Sequence, residues 1–538
     1  MTQKQTCGEA LVRLLERRGV DTVFGIPGVH TLDLYRGLSN SPIQHVLVRH
    51  EQGAGFMADG YARISGRPGI CFVITGPGVT NIATAMGQAY SDSVPMLVIS
   101  TVRKTADLDD NFGRLHEIVD QRSVTEQLCA FSATAMSPEE VPGLIDKAFT
   151  VFESARPRPV HIEIPLDVVA MEVDEDWQPG PRASKPTLDP AGLSSAAAML
   201  AEAKMPVIIA GGGARGSDGG GADDLARLAE LLGAPVITTV AGKGLLAHDH
   251  SLHLPGMLAH EETQNLLAEA DVVLAVGTEL AETDSWVDRL SLPDALVRVD
   301  IDPEQVNAQY VPTIGLIGDG ATALGALADS LSDKKANDVR GMEERVRGMR
   351  KVAADNETEL RQTHRRVLLA VHGALPDTAT VFTDMTQIAY SGNEIFPAAR
   401  PKSWFHPRGF GTLGIAMPSA IGAKLASPET PVVALAGDGG FQFTLQELAV
   451  AVELDLNLTI IMWNNSAFGQ IRDDMVARGI KKTGVELHNP DFEKLADAYG
   501  VHYLRPGGLD DLAADVRQAQ DGSGVWLIDV RQSVFSEN

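Results

Sequence analysis

The stretch GDGGFQFTLQELAVAVELDLNLTIIMWNN, residues 437–465, opens with an aspartate between glycines and closes on two asparagines. Just before Asp438, VVALAG reads as a short buried strand; FTLQELAVAVEL reads as a helix and NLTIIMW as the return strand. That succession brings Asn464 and Asn465 out at the same sheet edge as Asp438, and open α/β sheets bind their ligands at that carboxyl edge. Glycines flanking Asp438 let a ligand approach the backbone, and the free amides and dipole of a helix N-terminus attract phosphate. A carboxylate and an amide oxygen are hard ligands, suited to Mg²⁺ or Ca²⁺; Mg²⁺ usually completes its octahedron with substrate phosphate and water. The expectation is a magnesium diphosphate site. The plainer alternative is a glycine turn followed by an ordinary asparagine turn.

Working outward, short apolar strands alternate with helical patterns along the whole chain, the signature of parallel sheets covered by helices. At 538 residues the chain exceeds one ordinary core and divides into three blocks. VDTVFGIPG, IQHVLVRHE, GICFVITGPG, PMLVIST and PVHIEIP are the strands of the first, placed at residues 1–172. MEVDEDWQPGPRASKPTLDP then loses periodicity and gains proline and charge, as a linker does. The second block, 190–333, carries MPVIIAGGGARG, APVITTV, ADVVLAVGT, ALVRVDID and IGLIGDG. A charged, mostly helical run, SDKKANDVRGMEERVRGMRKVAADNETELRQTHRR, reads as a solvated connecting helix. The third block, 360–538, carries ATVFTDM, PVVALAGDGG, NLTIIMWNN and VWLIDV. The fold expected is α/β, three doubly wound parallel-sheet domains in series, the first and third of similar architecture.

Composition excludes several classes. A net charge of −26 repels nucleic acid and anionic lipid. Cys7, Cys71 and Cys129 have no metal-ligand spacing and are expected as reduced, buried thiols in a cytoplasmic protein. The N-terminus is charged throughout, unlike a signal peptide, and no apolar run approaches the ~18–20 residues of a membrane helix.

The GDG-to-NN segment matches the thiamine-diphosphate fingerprint, and the whole chain resembles the acetolactate synthase and benzoylformate decarboxylase superfamily. The resemblance implies pyrimidine-binding, central and diphosphate-binding domains in that order. It implies that Asp438, Asn465 and the backbone carbonyl of Ala467 hold Mg²⁺, with Gly437, Gly439, Gly440, Phe468 and Gly469 around the diphosphate. VRHEQGAGFMADGYAR matches the family's glutamate segment, which assigns Glu51, at the end of a strand, to the proton transfer that activates the cofactor. GPGVTN, with Gly76 and Asn81, is similar to the pyrimidine-domain loop, and in GFGTLGIAM Leu413, beside Thr412, takes the position of the apolar wedge that bends the cofactor. Halves of each site come from different subunits in this family, so the resemblance implies a homodimer at minimum and a homotetramer beyond it. The glycine run AGGGARGSDGGG lacks the GxGxxG spacing, so the central domain is expected to be an empty nucleotide domain without FAD.

The family's chemistry takes CO₂ from a 2-oxo acid; the carbon left behind is either protonated and released as an aldehyde or joined to a second 2-oxo acid. Where the synthases carry IPKDV this chain has IPLDV with Leu166, and where they have FQE it has LHE with His116 and Glu117. Those departures favour the decarboxylase, with His116 as proton donor. GIPGVHTLDLYRGL, LHEIVDQR and AFGQIRDDM are similar to an arginine-catabolic branch that converts 5-guanidino-2-oxopentanoate to 4-guanidinobutanal. A guanidinium tail wants a carboxylate with two-point geometry. Candidate substrate residues are Val29, His30, His116, Glu117, Asp473 and Asp474, with Asp33 as a further acid. An acetolactate-forming carboligase is the alternative. From a different class comes a non-catalytic regulatory homologue, disfavoured by the presence of Glu51, Asp438 and Asn465 together.

Overall fold

The computed structural model describes residues 5–108, 110–174, 176–216, 219–333, 337 and 339–536. Ser217 and Asp218 of the glycine run, and Lys334, Lys335, Ala336 and Asp338 of the charged connector, lie outside the described residues.

In the first block β1 (Gln5–Thr6) precedes a six-stranded sheet of β2 (Thr22–Gly25), β3 (Gln44–Leu47), β4 (Gly69–Val73), β5 (Met96–Val102), β6 (Phe131–Thr134) and β7 (Val160–Pro165). The segment expected as a linker begins with β8 (Glu172–Val173), which pairs antiparallel with β1, and Trp177 just beyond is buried in the first domain's core. The middle sheet holds β9 (Pro206–Ala210), β10 (Val236–Thr238), β11 (His253–Pro255), β12 (Val272–Val276), β13 (Leu296–Asp300) and β14 (Ile314–Ile317). The third holds β15 (Thr380–Thr383), β16 (Trp404–Phe405), β17 (Val432–Gly437), β18 (Leu458–Asn464), β19 (His502–Leu504) and β20 (Val525–Arg531).

All three sheets are parallel. The first runs β3-β2-β4-β5-β7-β6 and the third β16-β15-β17-β18-β20-β19, the same order when each domain's strands are counted from its own start. The middle sheet runs β11-β10-β9-β12-β13-β14, the doubly wound order whose direction reverses between β9 and β12. Gly437 pairs with Trp463, so Asp438 and Asn464 leave neighbouring strands side by side.

First and third domains share one apolar core, in which Phe24, Met57 and Met86 join Phe382, Ile421 and Met462. Its centre is the crossing of helix Glu51–Ser65 with helix Ala416–Ala426. A Cβ on Gly60 would stand 1.9 Å from the Ser419 carbonyl oxygen and one on Gly422 1.8 Å from that of Met57, so the backbones touch where glycine leaves room.

Three local expectations change. FTLQELAVAVEL, residues 443–454, turns helical only from Leu445, through a 3₁₀ turn Leu445–Glu447 that runs into Leu448–Glu453, and Asp438 begins a separate short helix, Asp438–Phe441, instead of leading into this one. The break falls at Thr444, whose backbone leaves helical values and whose hydroxyl donates to the Gly414 carbonyl. Glu51 does not end a strand; it begins a helix capped by His50, whose Nδ1 accepts from the Gln52 amide. The charged connector forms two helices, Arg340–Asp355 and Glu359–Ala374, the second capped by Thr358.

Candidate functional site

The third domain brings Asp438, Asn464 and Asn465 together where β17 and β18 end. Asp438 is buried at the start of its short helix; Asn489 donates to its Oδ2 at 2.6 Å, and the Asn465 backbone amide also bonds the carboxylate. Burial raises its pKa above the ordinary range, and among the described residues no cationic side chain pairs with it. Asn464 turns inward, donating to Asp529 at 2.8 Å, which leaves Asn465 and the loop beyond at the surface of the site. Ser466 takes a left-handed φ of 51°, Ala467 bridges Glu486, and the Phe468 amide donates to the Val485 carbonyl, so the loop is held as an edge of chain. A Cβ on Gly439 would meet the Phe468 ring at 2.9 Å, and one on Gly440 the Asp384 carboxylate at 2.8 Å.

Asp384 is itself buried, and burial pushes its carboxyl up to about 7. It accepts from the Gly414 amide at 2.9 Å and the Met385 amide at 2.8 Å. Thr412 donates through its amide and its hydroxyl to Gln88 of the first domain, both at 3.1 Å. The segment with half-buried Leu413 is thus hung between Gln88 and Asp384.

These groups fit a magnesium diphosphate. No cluster of three or more His, Cys, Asp or Glu side chains suited to a metal occurs among the described residues. What the adjoining strand ends offer is one carboxylate, Asp438, and the Asn465 side-chain amide with the loop carbonyls beyond it, a donor set suited to a hard cation. A buried carboxylate lacking a cationic side chain is the group a cation would compensate.

In the first domain Glu51 is buried and accepts from Asn81 Nδ2 at 2.9 Å. A Cβ on Gly78 would come within 3.4 Å of its Oε1. Gly76, at φ 70°, caps the helix carrying Asn81; its amide donates to Gln121 Oε1 at 2.8 Å, and a Cβ there would strike the His116 carbonyl at 2.3 Å. His116 is itself left-handed, φ 62°, and its ring meets that of His30 edge-on at 5.2 Å. His30 Nδ1 is buried without a hydrogen-bond partner, and burial, then His116, lowers its pKa, so the ring is neutral near pH 7. Val29 is exposed beside it.

The acids singled out for substrate are all engaged. Glu117 accepts from the amides of Phe112, Gly113 and Arg114 and lies 3.5 Å from Arg103. Asp33 accepts from Arg36 at 3.2 Å, Asp473 from Gln387 and Arg472, and Asp474 from Gln470. Leu166 begins a short helix directly after β7. Among the described residues no hydrogen bond joins the Glu51–Asn81 cluster to the Asp438–Asn465 cluster within one chain. Asn489, Gln387, Asp384 and Gln121 were not foreseen; each is a lone polar residue whose significance comes only from what the fold puts beside it.

A second cleft, of about 720 Å³, opens where the three domains meet, at the carboxyl edge of the middle sheet. Gly212, Gly213, Arg215, Gly277 and Asp300 line it from the middle domain and Arg408 from the third. The glycine run therefore borders a cleft rather than a filled core.

The chain matches models of the thiamine pyrophosphate enzyme N-terminal TPP binding domain at residues 5–128, central domain at 193–327 and C-terminal TPP binding domain at 384–530. It is 52% identical to a protein of Pseudomonas aeruginosa named probable 2-ketoarginine decarboxylase AruI, over 98% of this chain and 94% of the relative. A probable acetolactate synthase large subunit of Methanocaldococcus jannaschii is 32% identical over 97% of this chain and 91% of its own length. The acetolactate synthase isozyme 1 large subunit of Escherichia coli is 32% identical over 98% and 94%.

Proposed function

This chain belongs to the thiamine pyrophosphate enzyme family, and we propose that it removes CO₂ from 5-guanidino-2-oxopentanoate, releasing 4-guanidinobutanal. What carries the reading is the 52% identity to the probable 2-ketoarginine decarboxylase across nearly the whole of both chains. When bound, thiamine diphosphate supplies the electron sink that lets the carboxylate leave as CO₂.

In this reading Asp438, Asn465 and the Ala467 carbonyl hold Mg²⁺, and the Gly437–Gly440 turn with Phe468 and Gly469 receives the diphosphate. Thr412 and Leu413 set the cofactor's bend. Glu51 would exchange a proton with the pyrimidine, and the Asn81 amide on its Oε2 holds the carboxyl in place and leaves Oε1 for that exchange. Gly76 fixes the start of the helix that carries Asn81. His116 delivers the proton that completes the aldehyde, with His30 packed against it and Val29 at the entrance. Glu51 of one subunit works on cofactor held by Asp438 of another, so the unit is a homodimer or a tetramer of such dimers, in a cytoplasmic route of arginine breakdown.

Purified protein given Mg²⁺, thiamine diphosphate and a panel of 2-oxo acids tests the reading. CO₂ release with 4-guanidinobutanal as product supports it; acetolactate from pyruvate would replace it with the condensing activity that its acetolactate synthase relatives are named for.

A further inference from the structure

The Asn465 side chain has one acceptor and two donor hydrogens, so its direction at a cation depends on what holds the amide. Its Nδ2 donates to Gln387 Oε1 at 3.3 Å, and its Oδ1 accepts from the Ala467 backbone amide at 3.1 Å. Gln387, buried at the start of the helix Gln387–Ile395, donates through Nε2 to Asp473 Oδ2 at 2.8 Å. Asp473 Oδ1 accepts from Arg472 at 2.9 Å. Of these groups only the ionised carboxylate accepts without any power to donate. It dictates that Gln387 presents its nitrogen to Asp473 and its oxygen to Asn465, and hence that Asn465 presents its nitrogen to Gln387. A reversed amide at either step would set oxygen against oxygen or N–H against N–H.

Gly469 makes room for this relay: a Cβ there would lie 2.3 Å from Gln387 Oε1 and 2.4 Å from Asn465 Nδ2. On the far side Asn489 spans Asp438 Oδ2 at 2.6 Å and Asn464 Oδ1 at 3.2 Å. Both sides of the oxygen cluster are thus braced by amides that come from outside the fingerprint.

We infer that Asp473 and Gln387 are positioning residues of the metal site, turning the Asn465 amide so that its carbonyl oxygen is the atom offered to the cation. The inference rests on the proposed assignment of Asp438 and Asn465 as ligands. It gives Asp473, half-exposed on the helix Gly469–Ala477, a task directed at the metal rather than at the substrate tail.

The test measures thiamine diphosphate binding to the full-length protein by equilibrium dialysis across a Mg²⁺ titration, with steady-state kinetics at saturating Mg²⁺ alongside. Asp473→Ala and Gln387→Ala should each raise the Mg²⁺ needed for half-saturation about ten- to a hundredfold, the usual effect of losing an outer-shell partner, while kcat at saturating Mg²⁺ stays near wild type. Asp473→Asn, of the same shape but able to donate as well as accept, no longer fixes which atom Gln387 turns toward it and should recover only part of the loss. Because Asp473 is the exposed end of the relay, its removal leaves the domain core untouched. An unchanged Mg²⁺ requirement in Asp473→Ala, or a raised KM for the 2-oxo acid in its place, overturns the inference. Failure of the underlying assignment looks different: wild-type binding would be indifferent to chelator, or Asp438→Ala would bind cofactor normally.

Discussion

Gly60→Ala tests whether the contact between the helices Glu51–Ser65 and Ala416–Ala426 positions the first domain's half-site. In an open helix the change stabilises, by roughly 0.5–1 kcal/mol, because alanine has the better helix propensity. Here the added Cβ falls 1.9 Å from the Ser419 carbonyl oxygen, where ordinary contact begins at 3.4 Å, so the helices must part by about 1.5 Å. The obstacle is backbone on both sides, with Ser419 Oγ donating to the Phe56 carbonyl one residue from the Met57 carbonyl that faces Gly422. Overpacking of this kind costs typically 1–3 kcal/mol, and backbone-on-backbone contact sits at the upper end. A net loss of about 2 kcal/mol lowers the melting temperature by roughly 4–8 °C for domains of this size. Gly348→Ala is the control: nothing lies within 4 Å of a Cβ there, in the middle of the helix Arg340–Asp355, and a slight rise is expected. Scanning calorimetry of both variants, with the cofactor's C2 proton exchange followed by NMR, reads stability and site together. Gly60→Ala melting at or above wild type with unchanged exchange would refute the claim that this close crossing sets the position of Glu51.

Glu51→Gln should keep cofactor affinity but slow C2 proton exchange by at least about a hundredfold, the usual scale for losing a general acid–base; exchange at the wild-type rate removes the role. His161 is fully buried among Ser100, Thr125 and Ser132, and burial holds its pKa down at about 3, so the folded protein keeps it neutral while the unfolded chain takes up a proton near 6.5. Its share of stability is lost as pH falls below about 6.5, by up to ~1.4 kcal/mol per unit, and His161→Gln should flatten the denaturant-measured slope by one proton. Purified protein should lack a visible flavin absorbance; a flavin band would assign the 720 Å³ cleft to that cofactor. Asp33→Asn should raise KM for the guanidino acid and leave pyruvate alone, whereas Glu117→Gln should impair both; equal effects of Asp33→Asn on the two substrates would exclude it from the tail pocket.

Every central strand of the three sheets was legible, as were the edge strands β3 and β14; all the sheet strands that were missed are edges. The unforeseen β6, β11, β16 and β19 each end a sheet and span four, three, two and three residues, too few to display a period. Asp438 and Asn465 were legible because glycine, strand register and a fixed helix-and-strand excursion leave little freedom in where the two can emerge. The break between Asp438–Phe441 and the helix that follows was not, since it falls at Thr444, whose hydroxyl is tied to the carbonyl of Gly414, thirty residues away in the chain.

Acidic residues show the harder limit. A carboxylate offers about four lone-pair directions. Glu117 has three of them filled by backbone amides, with Arg103 beside it at 7% side-chain exposure, so a guanidinium could enter only by dismantling the turn at 112–117. Asp33 shares a solvent-exposed pair with Arg36, whose worth of about 0–1 kcal/mol is small enough for a substrate cation to displace. Asp473 is spoken for by an amide that touches the proposed metal ligand. In the sequence the three are equivalent negative charges near the expected site. They differ in how many donors the fold has already given each, and that number, not the charge, decides which is free to meet a substrate.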